Sequence, residues 1–399
     1  MAQAKKVVLA FSGGLDTSYS AIYLHKEMGL EVHAALANTG GFSKDELKKI
    51  ESRAKALGVK SYKMLDVTQE YYEKQIKYMV FGNVLKNGTY PISVSSERIS
   101  QAVAVAQYAK ETGADFLCHG STGAGNDQVR FDMIFNIIAP DIKIIALIRE
   151  KRLTREEEIA YLRENGVDFD FKKAEYSINQ GLWGTSVGGK ETLTSSQTLP
   201  EKAYPSQLTA QKPERITLTF EKGEFTGLNG KKYKDRVKAI QTLHETAAPY
   251  AIGRDMHVGD TIIGIKGRVG FEAAAPMIII KSHHTLEKHT LAKWQLFWKD
   301  QISAFYGNWL HEGQYFDPVM RDMEAFLESS QRTVSGDVIV ELHPYRFVVV
   351  GIESEHDLMS NRFGAYGEVM SDWTGADVEG FAKIFGLQNV IWHRINTEE

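Results

Sequence analysis

Apolar residues fall in short runs through the first third of the chain, and each run gives way to helical spacing. Val7–Phe11 is one such run, of the kind that forms a strand buried on both faces. From Asp16 to Met28 the spacing turns helical, with Leu15, Tyr19 and Ile22 on one face. Glu31–Ala37 predicts a second strand. Ser43 followed by Glu46 fits a capping box, Leu47, Ile50, Ala54 and Leu57 make the stripe of the helix it opens, and Gly58 suits its end. Ser61–Leu65 predicts a third strand and Gln69–Phe81 a third helix. Ser96–Thr112 predicts a long helix, apolar through Ile99, Ala102, Val103 and Ala106, and Asp115–Cys118 and Lys143–Leu147 predict two more strands. Strand and helix in alternation build a parallel sheet with helices on both faces, which binds ligands at the carboxyl ends of its strands.

The pattern changes after this. Tyr176 to Pro213 is rich in Gly, Ser, Thr and Gln, shows little periodicity, and reads as a linker, a functional loop or an oligomer arm. Beyond it, Ile216–Phe220 predicts a strand, Asn229-Gly230 a hairpin turn, and Leu291–Trp309 an amphipathic helix. Val338, Val340 and Leu342 alternate, and Phe347–Ile352 predicts another strand. Met277–Ile280 fits strand or helix equally. The expected fold is α/β: a parallel-sheet domain over residues 1–170 and an α+β domain over 171–399.

Composition narrows the function. Of 399 residues 43% are hydrophobic and 25% charged, enough for real cores. Lys and Arg number 47 against 51 Asp and Glu, a net charge of −4, without the basic excess of a nucleic-acid protein. The single cysteine, Cys118, forbids an intrachain disulfide and any Cys-pair metal site. Lys5 and Lys6 precede an apolar run too short for a signal peptide, and no run approaches the roughly 20 residues of a membrane span. A soluble, cytoplasmic protein is expected, with neither nucleic acid nor membrane as partner.

The first strand runs directly into Ser12-Gly13-Gly14-Leu15-Asp16-Thr17-Ser18, and a helix follows. The glycines let the backbone turn tightly beside an anion. The helix start presents free N–H groups and a partial positive charge to phosphate. Ser12, Thr17 and Ser18 add hydroxyl donors. Asp16 repels phosphate unless Mg²⁺, which favours oxygen ligands shared with phosphates, lies between them. The heptapeptide is neither a Walker A loop nor Gly-x-Gly-x-x-Gly. It resembles the PP-loop of the ATP pyrophosphatases, which implies AMP and pyrophosphate as products.

The fourth strand ends in a second polar stretch, His119-Gly120-Ser121-Thr122-Gly123-Ala124-Gly125-Asn126-Asp127-Gln128-Val129-Arg130. Thr122, Asn126 and Asp127 are small polar groups at a helix start, and Asn126 and Arg130 share one helical face. Asp127 can pair with an ammonium; Arg130 can face a carboxylate or a ureido oxygen.

Together, the two stretches resemble the argininosuccinate synthase family, and the likeness runs through most of the chain, most closely from Val7 to Ile148. That resemblance implies ATP with Mg²⁺, and citrulline and aspartate as substrates. It places Ala10, Phe11, Ser12, Gly13, Gly14, Leu15, Asp16, Thr17, Ser18, Ala37 and Gly120 against ATP. It places Tyr90, Ser95, Asn126, Arg130, Ser177 and Ser186 against citrulline, and Thr122, Asn126 and Asp127 against aspartate. Asp16, Asp127 and Arg130 are the candidate catalytic residues. The implied chemistry is attack of the ureido oxygen on the α-phosphorus, then displacement of AMP by the amine of aspartate. Residues 1–170 become the ATP-binding domain, and 171–399 the substrate-binding and oligomerisation domain of a homotetramer. Two positions depart from the family pattern: Gly259 stands where it has Glu, and Phe271 where it has Tyr. Both bear on the citrulline backbone, so an N-acylated citrulline is an alternative substrate. Another PP-loop ligase and a non-catalytic ATP-binding protein are the remaining alternatives.

Overall fold

The computed structural model describes residues 4–123, 125–167, 176–360, 364 and 366–397. Its first sheet has five parallel strands: β1 (Lys6–Ala10), β2 (Glu31–Asn38), β3 (Ser61–Asp66), β4 (Phe116–Cys118) and β5 (Lys143–Ile145), in the order β3-β2-β1-β4-β5. The order reverses between β1 and β4, so the loops after these two strands open side by side. Alternate residues of β1 feed two cores. Val7 and Leu9 pack with α1 (Leu15–Lys26) and α2 (Lys44–Ala56), while Val8 faces the larger core on the other side. The expected Ser43–Glu46 capping box opens α2.

The third helix is interrupted. α3 (Thr68–Tyr71) and α4 (Lys77–Phe81) are joined through a π turn at Tyr72–Ile76. The long helix α5 (Ser93–Thr112) begins three residues earlier than its stripe predicts, after Ile92 in a left-handed conformation. Then come α6 (Asp127–Ile138), α7 (Leu147–Lys151) and α8 (Arg155–Glu164).

The expected boundary at 170–171 lies outside the described residues. After it, the stretch from Tyr176 does not stay irregular. β6 (Ser177–Gly181) and β7 (Gly184–Gly188) form a hairpin that joins a second sheet. Its periodicity is hidden because every residue of β7 is largely buried, whereas β6 is exposed along nearly its whole length. Next follow β8 (Glu214–Glu221), β9 (Glu224–Leu228) and β10 (Lys231–Lys232), with the predicted turn at Asn229-Gly230, both residues at positive φ. α9 (Arg236–Ala247) leads to the hairpin β11 (Arg254–Asp260) and β12 (Lys266–Glu272), which completes the second sheet in the order β11-β12-β7-β6. Met277–Ile280, ambiguous by pattern, lies inside α10 (Ala274–Thr290). α11 (Lys293–His311), α12 (Pro318–Ser330), β13 (Gly336–His343) and β14 (Arg346–Glu353) follow, and the third sheet runs β10-β9-β8-β13-β14. One buried cluster joins α5 and α6 to α10, α11 and this third sheet.

Residues 1–356 form one compact unit and 357–399 a second. In the second, α13 (Gly375–Phe385) and α14 (Leu387–Thr397) have no buried residue.

Candidate active site

β1 carries the chain to the edge of a cavity of about 720 Å³, a size suited to a small-molecule site. Ala10, Phe11, Ser12, Gly14, Leu15, Asp16 and Thr17 line it. Gly13 does not, but at φ +75 it makes the turn that an L side chain resists, with its carbonyl accepting from Arg53. Gly120, after β4, lies so close to the loop that a Cβ there would sit 3.0 Å from Thr17 Cγ2. Its lack of a side chain lets the two strand ends approach. Ala37 lines the cavity from β2.

The hydroxyls divide. Ser12 and Thr17 face the cavity, their oxygens 3.4 Å apart. Ser18, expected as a donor to phosphate, is fully buried and donates to the Gly14 carbonyl at 2.7 Å, so its hydroxyl serves its own helix. Asp16 meets Glu158 of α8. Burial pushes the Asp16 carboxyl up, and burial followed by the Asp16 charge takes Glu158 up to about 8.

The opposite wall is built from α5 and α6. Asp127, in the first turn of α6, accepts from Arg98 Nε at 2.9 Å and from Arg130 Nη1 at 2.6 Å. Burial works to raise the Asp127 pKa, but the two guanidinium groups outweigh it and hold it at about 2. Arg98 also donates from Nη1 to Glu97 Oε1 at 2.9 Å. Glu97 and Arg98 escape a reading of the sequence because that reading follows the apolar stripe of α5, and two adjacent charges beside a stripe look like surface. Asn126 accepts from the backbone N–H of Ile262 at 3.0 Å, tying the tip of the β11–β12 hairpin to this wall. Thr122 and Ser177 line the cavity, along with Asn179 and Gln180 of β6.

The remaining residues that the resemblance gives to citrulline do not line the cavity. Tyr90 is buried beside the rings of His257 and Phe271, with centroids 5.2 and 5.4 Å away. Ser95 shares a hydrogen bond of 3.0 Å with His311 Nδ1. Ser186 sits on β7 between Asn179 and Phe271. Arg130 spans the two regions. It lines the cavity, its Nε donates to the His311 carbonyl at 2.9 Å, and its Nη2 is buried without a partner. Around it, burial followed by the charges of Arg130 and Lys86 and the ring of His257 takes His311 down to about 2.

At the two departures, a Cβ on Gly259 would lie 2.5 Å from His257 Nε2, so the imidazole fills the space beside it. Asp260 is 73% exposed and pairs with Lys266 at 2.5 Å. Glu272 is spent on Arg254 at 2.8 Å and on the Ser206 N–H at 3.1 Å. Neither carboxylate lines the cavity.

An anion-cradling loop on the first strand of a parallel sheet, facing a wall of paired charges across one cavity, defines an α/β enzyme that uses a nucleotide. Two family models place it further: the arginosuccinate synthase N-terminal HUP domain matches residues 6–168, and the arginosuccinate synthase C-terminal domain matches 176–392. The argininosuccinate synthase of Dictyoglomus thermophilum is 36% identical over 391 residues, 97% of each chain. That of Methanocaldococcus jannaschii is 34% identical over 388 residues, 96% of this chain and 97% of its own. That of Xanthomonas campestris is 36% identical over 405 aligned positions, 98% of this chain and 99% of its own. The chain belongs to the argininosuccinate synthase family.

Proposed function

We propose that the chain joins citrulline to aspartate at the expense of ATP, releasing argininosuccinate, AMP and pyrophosphate. The observation that carries this is one cavity lined both by the loop from Ser12 to Thr17 and by the Arg98–Asp127–Arg130 array. Ala10–Ser18, Ala37 and Gly120 hold ATP, with Gly13 and Ser18 shaping the loop rather than touching the nucleotide. Thr122, Asn126 and Asp127 hold aspartate. Asn126, Arg130 and Ser177 hold citrulline from the cavity wall, with Tyr90, Ser95 and Ser186 packed behind them. Among the described residues no group of three or more His, Cys, Asp or Glu could cage a metal. Asp16 lines the cavity at the phosphate loop, so it would hold Mg²⁺ together with the nucleotide's own phosphates, the ligand set the ion favours. When bound it supplies charge neutralisation on the diphosphate. The backbone N–H groups at the start of α1 orient that diphosphate as it leaves.

Residues 1–170 act as the ATP domain and 171–399 as the substrate and oligomerisation domain of a homotetramer. Among the described residues no helix is long and apolar enough to cross a membrane. That and a single buried thiol support a cytoplasmic location. Chromatography of the nucleotides after incubation with citrulline, aspartate and Mg-ATP tests the reaction. AMP appearing only when both amino acids are present supports it, and ADP overturns it.

The citrulline end favours a second reading of the substrate. An ammonium buried there needs an anionic partner. Asp260 and Glu272 are committed elsewhere, and His257, Lys86 and Arg130 gather instead. An N-acylated citrulline carries no charge on that nitrogen. On this alternative, kcat/KM is higher for N-acetyl- or N-succinylcitrulline than for citrulline; preference for free citrulline removes it and leaves the ligase reading intact.

A further inference from the structure

Aspartate enters the second half-reaction as an ammonium at neutral pH, and its nitrogen has no lone pair until a proton leaves. Three groups at the cavity wall are poorly placed to take it. Asp127 is held by two arginines and stays ionised down to about 2. His119 has both ring nitrogens engaged, Nε2 by Asp132 at 2.8 Å and Nδ1 by the Ser121 N–H at 3.2 Å. Asp16 sits in the phosphate loop against Glu158.

Glu97 is different. It lines the cavity from α5 while only 1% exposed. Its Oε2 accepts from Thr39 Oγ1 and its Oε1 from Arg98 Nη1, both at 2.9 Å. The same guanidinium holds Asp127 through Nε. Glu97 therefore stands one guanidinium away from a residue to which the resemblance gives aspartate. The backbone of the β6–β7 hairpin closes behind it, since a Cβ on Gly181 would collide with the Glu97 carboxylate.

We propose that Glu97 is the proton acceptor of the second half-reaction, taking a proton from the α-ammonium of bound aspartate while Arg98 positions it. This rests on the ligase reading above. An N–H bond of the ammonium breaks and an O–H bond forms on the Glu97 carboxyl. The freed lone pair attacks the carbon of the adenylylated ureido group, and the C–O bond to AMP breaks with its electron pair going to AMP. Burial pushes Glu97 up to about 7 against the pull of Arg98 and Thr39, and the Asp127 charge adds to the rise. Tyr71 and Tyr90 are the other titratable groups that face it, and both are held neutral by burial. A carboxylate poised there takes a proton more readily than an ordinary glutamate yet remains partly ionised at neutral pH. The active form is the ionised one, so the rate rises as pH climbs through about 7.

The test separates the two half-reactions in wild type, Glu97→Gln and Glu97→Asp. Exchange of labelled pyrophosphate into ATP without aspartate reads the first, using whichever ureido substrate, free or N-acylated, supports turnover. Formation of argininosuccinate, or of its N-acyl derivative where the substrate is N-acylated, reads the second. Glu97→Gln is expected to keep the exchange and lose about a hundredfold or more in the second step. Its rate should also lose the rise near pH 7, and Glu97→Asp should restore part of both. Hydroxylamine, already unprotonated near neutral pH, should trap the intermediate equally well in wild type and Glu97→Gln. Equal loss of both half-reactions, or an unchanged pH profile in Glu97→Gln, overturns the assignment. If wild type shows no exchange with any ureido substrate, the ligase reading itself falls and this step falls with it.

Discussion

Asp127 holds its place by charge more than by shape. Arg98 and Arg130 reach it from two helices, and Arg130 is buried. Asp127→Asn keeps the volume and leaves two guanidinium groups facing each other. About a third of the aspartate side chain stays open to the cavity, so the cost is discounted to about 2 kcal/mol of stability. We expect a raised KM for aspartate with nucleotide affinity retained, read by steady-state kinetics and nucleotide titration. Equal damage to both would make Asp127 a purely structural residue. At this scale the sequence was legible where small polar residues cluster with glycine, as at Ser12–Ser18 and Gly120–Arg130. It was silent on Glu97, because a buried acid and a surface acid have the same letter, and only Thr39 and Gly181 arriving from elsewhere distinguish them.

Elements read well where a short apolar run or a cap and turn signal marks them locally. The five parallel strands, the α2 capping box and the Asn229-Gly230 turn all follow from local pattern. The β6–β7 hairpin did not, because its two strands are exposed and buried as wholes. The segment after it is held by contacts distant in sequence, with Arg268 donating to the carbonyls of Thr194 and Gln197 at 2.5 and 2.6 Å. α13 and α14 pose the opposite case. Phe381, Ile384, Phe385 and Leu387 form a legible apolar cluster, yet each is more than half exposed. Such a face wants a partner, and the proposed homotetramer supplies one. Phe381→Asp with Phe385→Asp is expected to lower the mass seen by light scattering, with the circular dichroism of the larger unit preserved. A wild-type mass of one chain, about 44.8 kDa, would end the idea.

Across the whole molecule, the loop after β1 and the loop after β4 meet because the strand order reverses between them. β6 then brings Ser177 and Asn179 to the same cavity from the second sheet, and the β11–β12 hairpin is tied to its wall by the Ile262 N–H on Asn126. This convergence is what a two-step condensation requires, with ATP, a ureido amino acid and an amine held within reach of one another. In the proposed reaction the ureido oxygen attacks the α-phosphorus. That oxygen must then leave as part of AMP. Turnover with substrate labelled in the ureido oxygen, followed by mass spectrometry of the nucleotide, tests this most directly. One labelled oxygen is expected in the phosphate of AMP and none in pyrophosphate; unlabelled AMP, or label released into inorganic phosphate beside ADP, would overturn the proposed reaction.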